Sequence, residues 1–314
     1  MSRIEQIVAP CACLILLAPI IGGSQAAAGG QAAAHPAEPA PTTTEIKSLV
    51  SRTLENQHRD DRALAEFERV EHIITRKAEN SEVLSDRTNR VIPSGTGTLK
   101  LSMNENGSAV PPTQYRSQLE YAVSALELAV HPNDRYKQDL AKFERRRKER
   151  ADLVDEAAKA FRFTSAARET RSISGGAPRS LVKLVLEPDP DYKPSTRFAT
   201  IFQHVHATLW LDESQAQFAR LEGDIASDVM FGGGIAGRIY HGGHFVIEQE
   251  EVAPGIWLPS LYTYDVDGRK FLFSFGVHER TEVTHYQRIG PPAQAVETLR
   301  SELNALAADP PAHQ

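Results

Sequence analysis

Histidines are the residues of this chain whose types and spacing best suit chemistry. Two pairs stand out: His204 with His206, and His241 with His244. The first pair is two residues apart, so a strand would place both imidazoles on one face. With an oxygen ligand from Asp228 or Glu248, such a set could hold zinc. No recognised metal spacing such as H-E-x-x-H accompanies them. The sequence therefore favours polar residues at a sheet edge or cavity rim, and keeps a zinc-dependent hydrolase as an alternative.

Other catalytic motifs are weak. Residues 232–237 match G-x-G-x-x-G, but the dinucleotide fingerprint needs a helix after the glycines. Here the following residues, 238–252, alternate as a strand does. The glycines are predicted to form a flexible loop or sheet edge, since glycine permits sharp turns. No G-x-S-x-G serine motif occurs either. We therefore predict no catalytic residue.

The elements that must position these residues are strands. Residues 181–286 form a series of short alternating segments rich in β-branched and aromatic residues. Burying a phenylalanine is worth about 1.5–3 kcal/mol, so a face carrying three of them must be covered. Those side chains either pack beneath helices as core or line an apolar ligand site. The residues predicted to line such a site are Phe271, Phe273, Phe275, Trp210 and Trp257.

Helices are predicted outside this series. Thr42 and Glu45 have capping-box spacing, which predicts a helix from there to about Asn56. Further helices are predicted over residues 115–130 and 134–161. Because helices and strands occur in separate runs, the sequence predicts an α+β fold with an antiparallel sheet. One domain is predicted over residues 42–290, followed by a C-terminal tail helix in residues 291–314.

The N-terminal residues have the features of a targeting segment. Residues 1–26 combine a basic residue, an apolar stretch and small residues at a cleavage site, which predicts a secretory signal peptide. Residues 27–41 form an Ala- and Pro-rich linker with too little apolar bulk to fold. Both cysteines, Cys11 and Cys13, lie in the signal peptide. The mature protein is thus predicted to be periplasmic or otherwise secreted, without disulfides or thiolate chemistry.

The net charge of the chain limits the classes of partner that it is expected to bind. A net charge of −6 argues against nucleic acid, because phosphate binding usually needs a basic face. The stretch from Lys142 to Arg150 is locally basic. It is interpreted as a solvated helix face or as a contact with an anionic membrane surface or an acidic partner.

Three short segments carry a resemblance to a known family. They are L-W-L-D at 209–212, R-L-E at 220–222 and I-W-L-P at 256–259. They resemble the hairpin series of the outer-membrane lipoprotein-sorting carriers, the LolA/LolB-like superfamily, and the order of elements agrees. The resemblance covers residues 161–289, and residues 42–160 by element order. It implies a strongly curved half-barrel sheet closed by helices, with an apolar cavity that binds lipids or acylated lipoproteins.

These observations predict a non-catalytic extracytoplasmic (periplasmic) binding protein that holds an apolar acyl-type ligand between sheet and helices. The expected partner is a lipid or an acylated lipoprotein, and no metal or other cofactor is predicted. Two alternatives stay open. One is a zinc-dependent hydrolase built on the four histidines, and the other is a structural or sensor domain of the cell envelope.

Overall fold

The computed structural model of the protein describes residues 39–78, 81–173, 176–271 and 273–308. The predicted signal peptide with its two cysteines and most of the predicted linker lie outside the described residues. Within the described part of the chain, no helix is both long enough and apolar enough to cross a membrane.

Four α-helices occur among the described residues. They are α1 (Thr43–Ala63), α2 (Pro112–Val130), α3 (Asp134–Ala160) and α4 (Pro292–Ala308). Two short 3₁₀ helices cover Leu64–Glu66 and Ala199–His204.

Thirteen strands make up the rest of the regular structure in the described ranges. The first four are β1 (Phe67–Arg76), β2 (Val83–Pro93), β3 (Thr98–Glu105) and β4 (Ser108–Ala109). After α3 come β5 (Phe161–Arg171), β6 (Arg179–Pro188), β7 (Val205–Asp212) and β8 (Gln217–Ile225). The last five are β9 (Val229–Phe231), β10 (Gly237–Ile239), β11 (His244–Ala253), β12 (Ile256–Lys270) and β13 (Phe273–Arg288).

All thirteen strands join one antiparallel sheet. Its order is β4-β3-β2-β1-β13-β12-β11-β8-β7-β6-β5, and the β9–β10 hairpin attaches through β10 to β12. The sheet is not closed: β4, with two residues, lies at one edge, and β5, with eleven, lies at the other. The predicted α+β fold with an antiparallel sheet is confirmed.

Helix α1 begins at the predicted capping box. The backbone N–H of Thr42 donates to Glu45 Oε2 at 2.6 Å, and that of Glu45 donates to Thr42 Oγ1 at 3.3 Å. The helix continues seven residues beyond the predicted end at Asn56, to Ala63. The cause is tertiary, because the buried carboxylate of Asp60 accepts hydrogen bonds from β8 and β12.

Helices α1 and α3 cover one face of the sheet, and helices α2 and α4 cover the other. Tyr262 of β12 pairs with Thr281 of β13, and both side chains point towards α1 and α3. Thr284 lies three residues further along β13 and so faces the other side. Its paired row runs through Thr284, Val70, Arg90 and Leu101. Leu101 packs with α2 and α4.

The predicted tail helix is docked on its own chain. Val296 and Leu299 of α4 are buried with Leu119 and Leu126 of α2 in one apolar cluster. Arg90 of β2 ties this layer to the sheet, since its guanidinium contacts Glu68 and, on α4, Glu302 at 2.7 Å.

Candidate functional site: an apolar cavity between sheet and helices

A cavity of about 260 Å³ lies between the sheet and the helices α1 and α3. Its floor is formed by β5, β6, β7, β8, β11 and β12, and its roof by the two helices. The floor side chains are almost all apolar. Together with the helices they enclose a space just below the usual size of ligand pockets, about 300–1,000 Å³.

The floor consists of rows of paired apolar residues. One row crosses four neighbouring strands in register: Leu209, Leu221, Ile247 and Tyr262. The next row contains Ala207, Gly223 and Phe245. A Cβ atom at position 223 would lie 2.7 Å from the Phe245 ring. Glycine at this position therefore leaves the space that the ring occupies.

The roof is built from one stripe of each helix. Val50, Leu54 and Gln57 of α1 recur at helical spacing and line the cavity. Helix α3 contributes the small side chains Ala157 and Ala158. Ala157 also packs against the main core, and because alanine fills little volume, space remains between this part of α3 and the floor.

Three polar atoms of cavity-lining residues are left without partners. Thr53 Oγ1 on α1, Arg150 Nε on α3 and Gln249 Oε1 on β11 are buried and have no hydrogen-bond partner among the described residues. The amide nitrogen of Gln249 donates to Gln57 Oε1 at 3.1 Å, which fixes the orientation of the Gln249 side chain. A buried polar atom without a partner costs about 1–3 kcal/mol, so these atoms are suited to receive a ligand.

Ion pairs join the two helices above these atoms. Arg150 of α3 contacts Asp61 of α1 at 3.0 Å, and His58 of α1 contacts Asp155 of α3 at 2.7 Å. All four side chains are partly exposed. They therefore form a polar roof over a cavity whose floor is apolar.

Asp60 anchors the end of α1 to the sheet beside the cavity. Its buried carboxylate accepts hydrogen bonds from Gln217 Nε2 at 3.0 Å and from the backbone N–H of Trp257 at 3.2 Å. The indole N–H of Trp257 donates to Gln215 Oε1 at 2.9 Å. These contacts fix the cavity wall at the start of β12.

Beyond Tyr262 the same sheet face becomes charged. Burial raises the pKa of the Tyr262 phenol and of the Glu279 carboxyl, which pairs in register with Tyr264. Burial also disfavours the charged form of Glu71, but Lys100 and Arg69 together hold the pKa of Glu71 below its usual value. The cavity thus lies beside a polar region on the face that α1 and α3 cover.

The five residues predicted to line a ligand site do not all come together. Trp257 is among the residues that line the cavity, and it also packs with Trp210 in a small buried cluster. Trp210 does not line the cavity, and its indole N–H donates to Glu169 Oε1 at 2.6 Å. Phe275 packs against the main core, while Phe271 and Phe273 lie at a hairpin tip and are exposed. The reason is a turn: Phe271 has φ 53°, so the alternating pattern that would place Phe271 and Phe273 on one strand face with Phe275 is interrupted there.

The cavity residues that sequence reasoning missed are ordinary strand residues. Leu209, Leu221, Ile247 and Tyr262 each occupy one position of an alternating pattern. The signal was present, since all four belong to consecutive predicted strands. It required the strand register, which depends on bulges such as the one between Trp210 and Leu211.

The four histidines of the zinc hypothesis do not form one cluster. His204 Nδ1 lies 2.8 Å from Ser227 Oγ, and His241 Nδ1 lies 2.8 Å from Asp228 Oδ1. His206 and His244 lie on either side of Asp224 in one register row, and the His244 side chain pairs with Asp224. The row continues through Asp265 to His278. Within the described ranges, no group of three or more His, Cys, Asp or Glu side chains is placed to hold a metal ion.

The two remaining sequence features are placed as follows. Residues 232–236 form the turn between β9 and β10, so a strand follows the glycines, as predicted. The basic stretch of α3 forms ion pairs along its own helix, including Lys142 with Asp139 at 2.9 Å and Arg147 with Glu144 at 2.7 Å.

Comparisons of the chain with protein-family models, with curated proteins and with solved structures find no match.

Proposed function

We propose that the protein is a non-catalytic extracytoplasmic binding protein that holds an apolar, acyl-type ligand in the cavity beneath α1 and α3. The observation that carries this proposal is the cavity itself, with its apolar floor and the unpartnered polar atoms of its wall, Thr53 Oγ1, Gln249 Oε1 and Arg150 Nε. Small-molecule sites are commonly apolar concavities with a few placed polar groups.

The proposal includes the shape of the sheet, which we take to be a strongly curved half-barrel around the ligand. Two features support this. The sheet has two free ends, and the helices over one face leave space beneath them. Antiparallel sheets with this many strands rarely stay flat, because each strand pair adds twist.

The apolar floor of the cavity and the polar atoms in its wall together indicate the class of ligand. Transfer of an acyl chain from water to the apolar floor contributes about 0.8 kcal/mol per methylene. The Thr53 hydroxyl can donate to a carbonyl oxygen, and the Gln249 carbonyl can accept from an N–H or O–H. An N-acyl group or a protonated fatty acid supplies both partners, which agrees with a lipid or an acylated lipoprotein as cargo.

The proposed location rests on the signal-peptide pattern of residues 1–26. It is tested by expressing the full-length precursor in a bacterial host and recovering the periplasmic fraction. An intact mass that begins near residue 27 supports export and cleavage. A full-length chain recovered from the cytoplasm contradicts them.

Native mass spectrometry of the processed protein tests the cavity. We expect a species heavier than the polypeptide by the mass of a lipid, released on denaturation. Protein that carries stoichiometric zinc and no lipid would contradict the proposal and support the hydrolase alternative.

A pair of matched variants locates the ligand. Ala157→Leu places three extra carbons in the cavity and should lower the retention of a fluorescent fatty acid roughly tenfold or more. Ala141→Leu makes the same change on the exposed half of α3 and should leave binding unchanged. Equal affinities for the two variants would place the ligand elsewhere.

A further inference from the structure

The polar residues of the cavity roof form one stripe on helix α1. Thr53, Gln57 and Asp61 are spaced four residues apart and all line the cavity. Residues with this spacing lie on one face of a helix, with about 5–6 Å between successive Cβ atoms. The stripe therefore sets the order in which a ligand beneath it meets the polar groups of the wall.

Two side chains from other elements attach to this stripe. The Gln249 amide of β11 donates to Gln57 Oε1 at 3.1 Å, and the Arg150 guanidinium of α3 contacts Asp61 Oδ1 at 3.0 Å. The three unpartnered atoms consequently follow one another along α1. Thr53 Oγ1 comes first, then Gln249 Oε1, and then Arg150 Nε.

The burial of these atoms indicates that a ligand meets them. Thr53 is 7% exposed and Gln249 is 4% exposed, and the unpartnered oxygen of each is buried. The Arg150 side chain is 27% exposed, but its Nε atom is buried as well. Since buried polar atoms in folded proteins nearly always have a hydrogen-bond partner, these three call for one inside the cavity.

The chemistry of the three atoms specifies the polar groups of that partner. The Thr53 hydroxyl can donate to a carbonyl oxygen, the Gln249 carbonyl only accepts, and the Arg150 Nε–H only donates. A complementary ligand carries a C=O, then an N–H, and then a second C=O. An N-acylated amino acid has these groups in this order. An ionised fatty acid has no donor for the Gln249 oxygen.

The apolar part of the cavity begins at the Thr53 end of the stripe. One turn before Thr53, Val50 lines the cavity, and along β11 the floor continues from Gln249 to Ile247 and Phe245. An acyl chain attached to a carbonyl at Thr53 therefore extends over apolar side chains, while the rest of the ligand follows the polar end of the stripe.

We infer that the cavity binds an N-acylated amino acid, with its acyl carbonyl at Thr53 Oγ1, its amide N–H at Gln249 Oε1 and its second carbonyl at Arg150 Nε. Because Asp61 already balances the charge of Arg150, a neutral second carbonyl suits this position better than a carboxylate. The inference rests on the proposed function and narrows it, since it selects an N-acyl group over a free fatty acid.

Isothermal titration calorimetry of the lipid-free mature protein tests the inference with three ligands that share one acyl chain. N-decanoylglycine methyl ester carries all three groups. Its sarcosine counterpart replaces the amide N–H by N–CH₃ and should bind about tenfold more weakly, because Gln249 Oε1 stays unpaired. N-propyldecanamide lacks the second carbonyl and should also bind more weakly than the glycine ester.

Variants assign each contact to its residue. Gln249→Met keeps a similar volume without the acceptor, so the two esters should then bind within about twofold of each other. Thr53→Val removes only the hydroxyl and should weaken both esters by a similar factor, which leaves their ratio unchanged. Gln138→Met, at an exposed glutamine of α3 outside the cavity, is the matched control and should bind all three ligands as the unmodified protein does.

The outcomes separate this inference from the proposed function. Equal, measurable affinities of the unmodified protein for the two esters would overturn the inference and leave an apolar-ligand carrier. A tenfold preference that persists in Gln249→Met would overturn it too, because the amide N–H would then meet another group. If none of the three ligands binds, both the inference and the proposed function are wrong.

Discussion

The two helical layers of this protein cover opposite faces of one sheet and pack in different ways. On one face, α2 and α4 bury Leu119, Leu126 and Leu299 completely, and the charged Arg90 is matched by Glu68 and Glu302. On the other face, α1 and α3 leave a cavity beneath small side chains such as Ala157. The α1 and α3 layer nevertheless buries Ile46, Leu49 and Leu153 in the larger of the two apolar clusters. The comparison therefore indicates that both layers stabilise the fold, while the second also leaves room for the proposed ligand.

The largest expected difference concerns core truncation. Leu126→Ala in the solid layer should cost about 2–5 kcal/mol in the free energy of unfolding, since the fully buried site cannot collapse around the void. Leu209→Ala on the cavity floor should cost less, because part of that side chain already faces open space. Urea unfolding of both variants measures this. Equal costs would mean that the two layers are packed alike.

Asp60 is the next test, because it fastens the end of α1 to the sheet. Asp60→Ala leaves Trp257 N–H and Gln217 Nε2 without this acceptor and should cost about 1–3 kcal/mol. It should also weaken ligand retention, because the α1 roof loses its fixed end. Glu55→Ala, at an exposed position of the same helix, serves as the control in thermal unfolding. If both variants unfold at the same temperature, the anchor has no energetic role.

The start of α1 should show a smaller effect. Thr42→Ala removes the side-chain acceptor of the capping box and should cost about 0.5–2 kcal/mol. Thr42→Ser keeps the hydroxyl and should restore most of the stability. Calorimetry of both variants checks this, and a serine variant as unstable as the alanine variant would contradict the capping role.

The smallest expected effects come from replacing one carboxylate on each face of the sheet. Burial raises the pKa of Glu279 above its usual value of 4.5, so the folded state binds more protons than the unfolded state, and stability falls as pH rises above that value. Glu279→Gln should therefore raise the melting temperature at about pH 7.5 and change it little at about pH 4.

Glu302→Gln is the counterpart on the other face. It removes a carboxylate that Arg90 contacts at 2.7 Å, and should lower the melting temperature at about pH 7.5. Melting curves of both glutamine variants at the two pH values check the pair. If both variants shift the melting temperature at about pH 7.5 in the same direction, the proposed contrast between the two faces is wrong.

Much of the fold follows from local signals in the sequence. The capping box at Thr42, the alternation within residues 181–286 and the helical spacing around α3 predict most elements close to their observed bounds. The end of α1 was not predictable in this way. Its last two turns are polar, and they stay helical because Asp60 is held by β8 and β12, which are far away in sequence.

The candidate site was much less predictable than the fold. The aromatic cluster around Phe271 is the most conspicuous apolar pattern, yet the turn at φ 53° moves Phe271 and Phe273 to an exposed tip. The cavity is instead lined by residues such as Leu209 and Leu221, which occupy ordinary apolar positions in alternating strands. Their common face depends on register between strands, which no single segment specifies.

The long free edge at β5 bears on how the protein behaves when concentrated. An unpaired edge of eleven residues offers backbone N–H and C=O groups to the strand of another molecule, a route to fibrous aggregates. That edge carries Arg162, Arg168 and Arg171 against a single acid, Glu169. Charged side chains along an edge strand hinder its pairing with another molecule, so concentrated solutions of this protein should stay free of amyloid-like deposits.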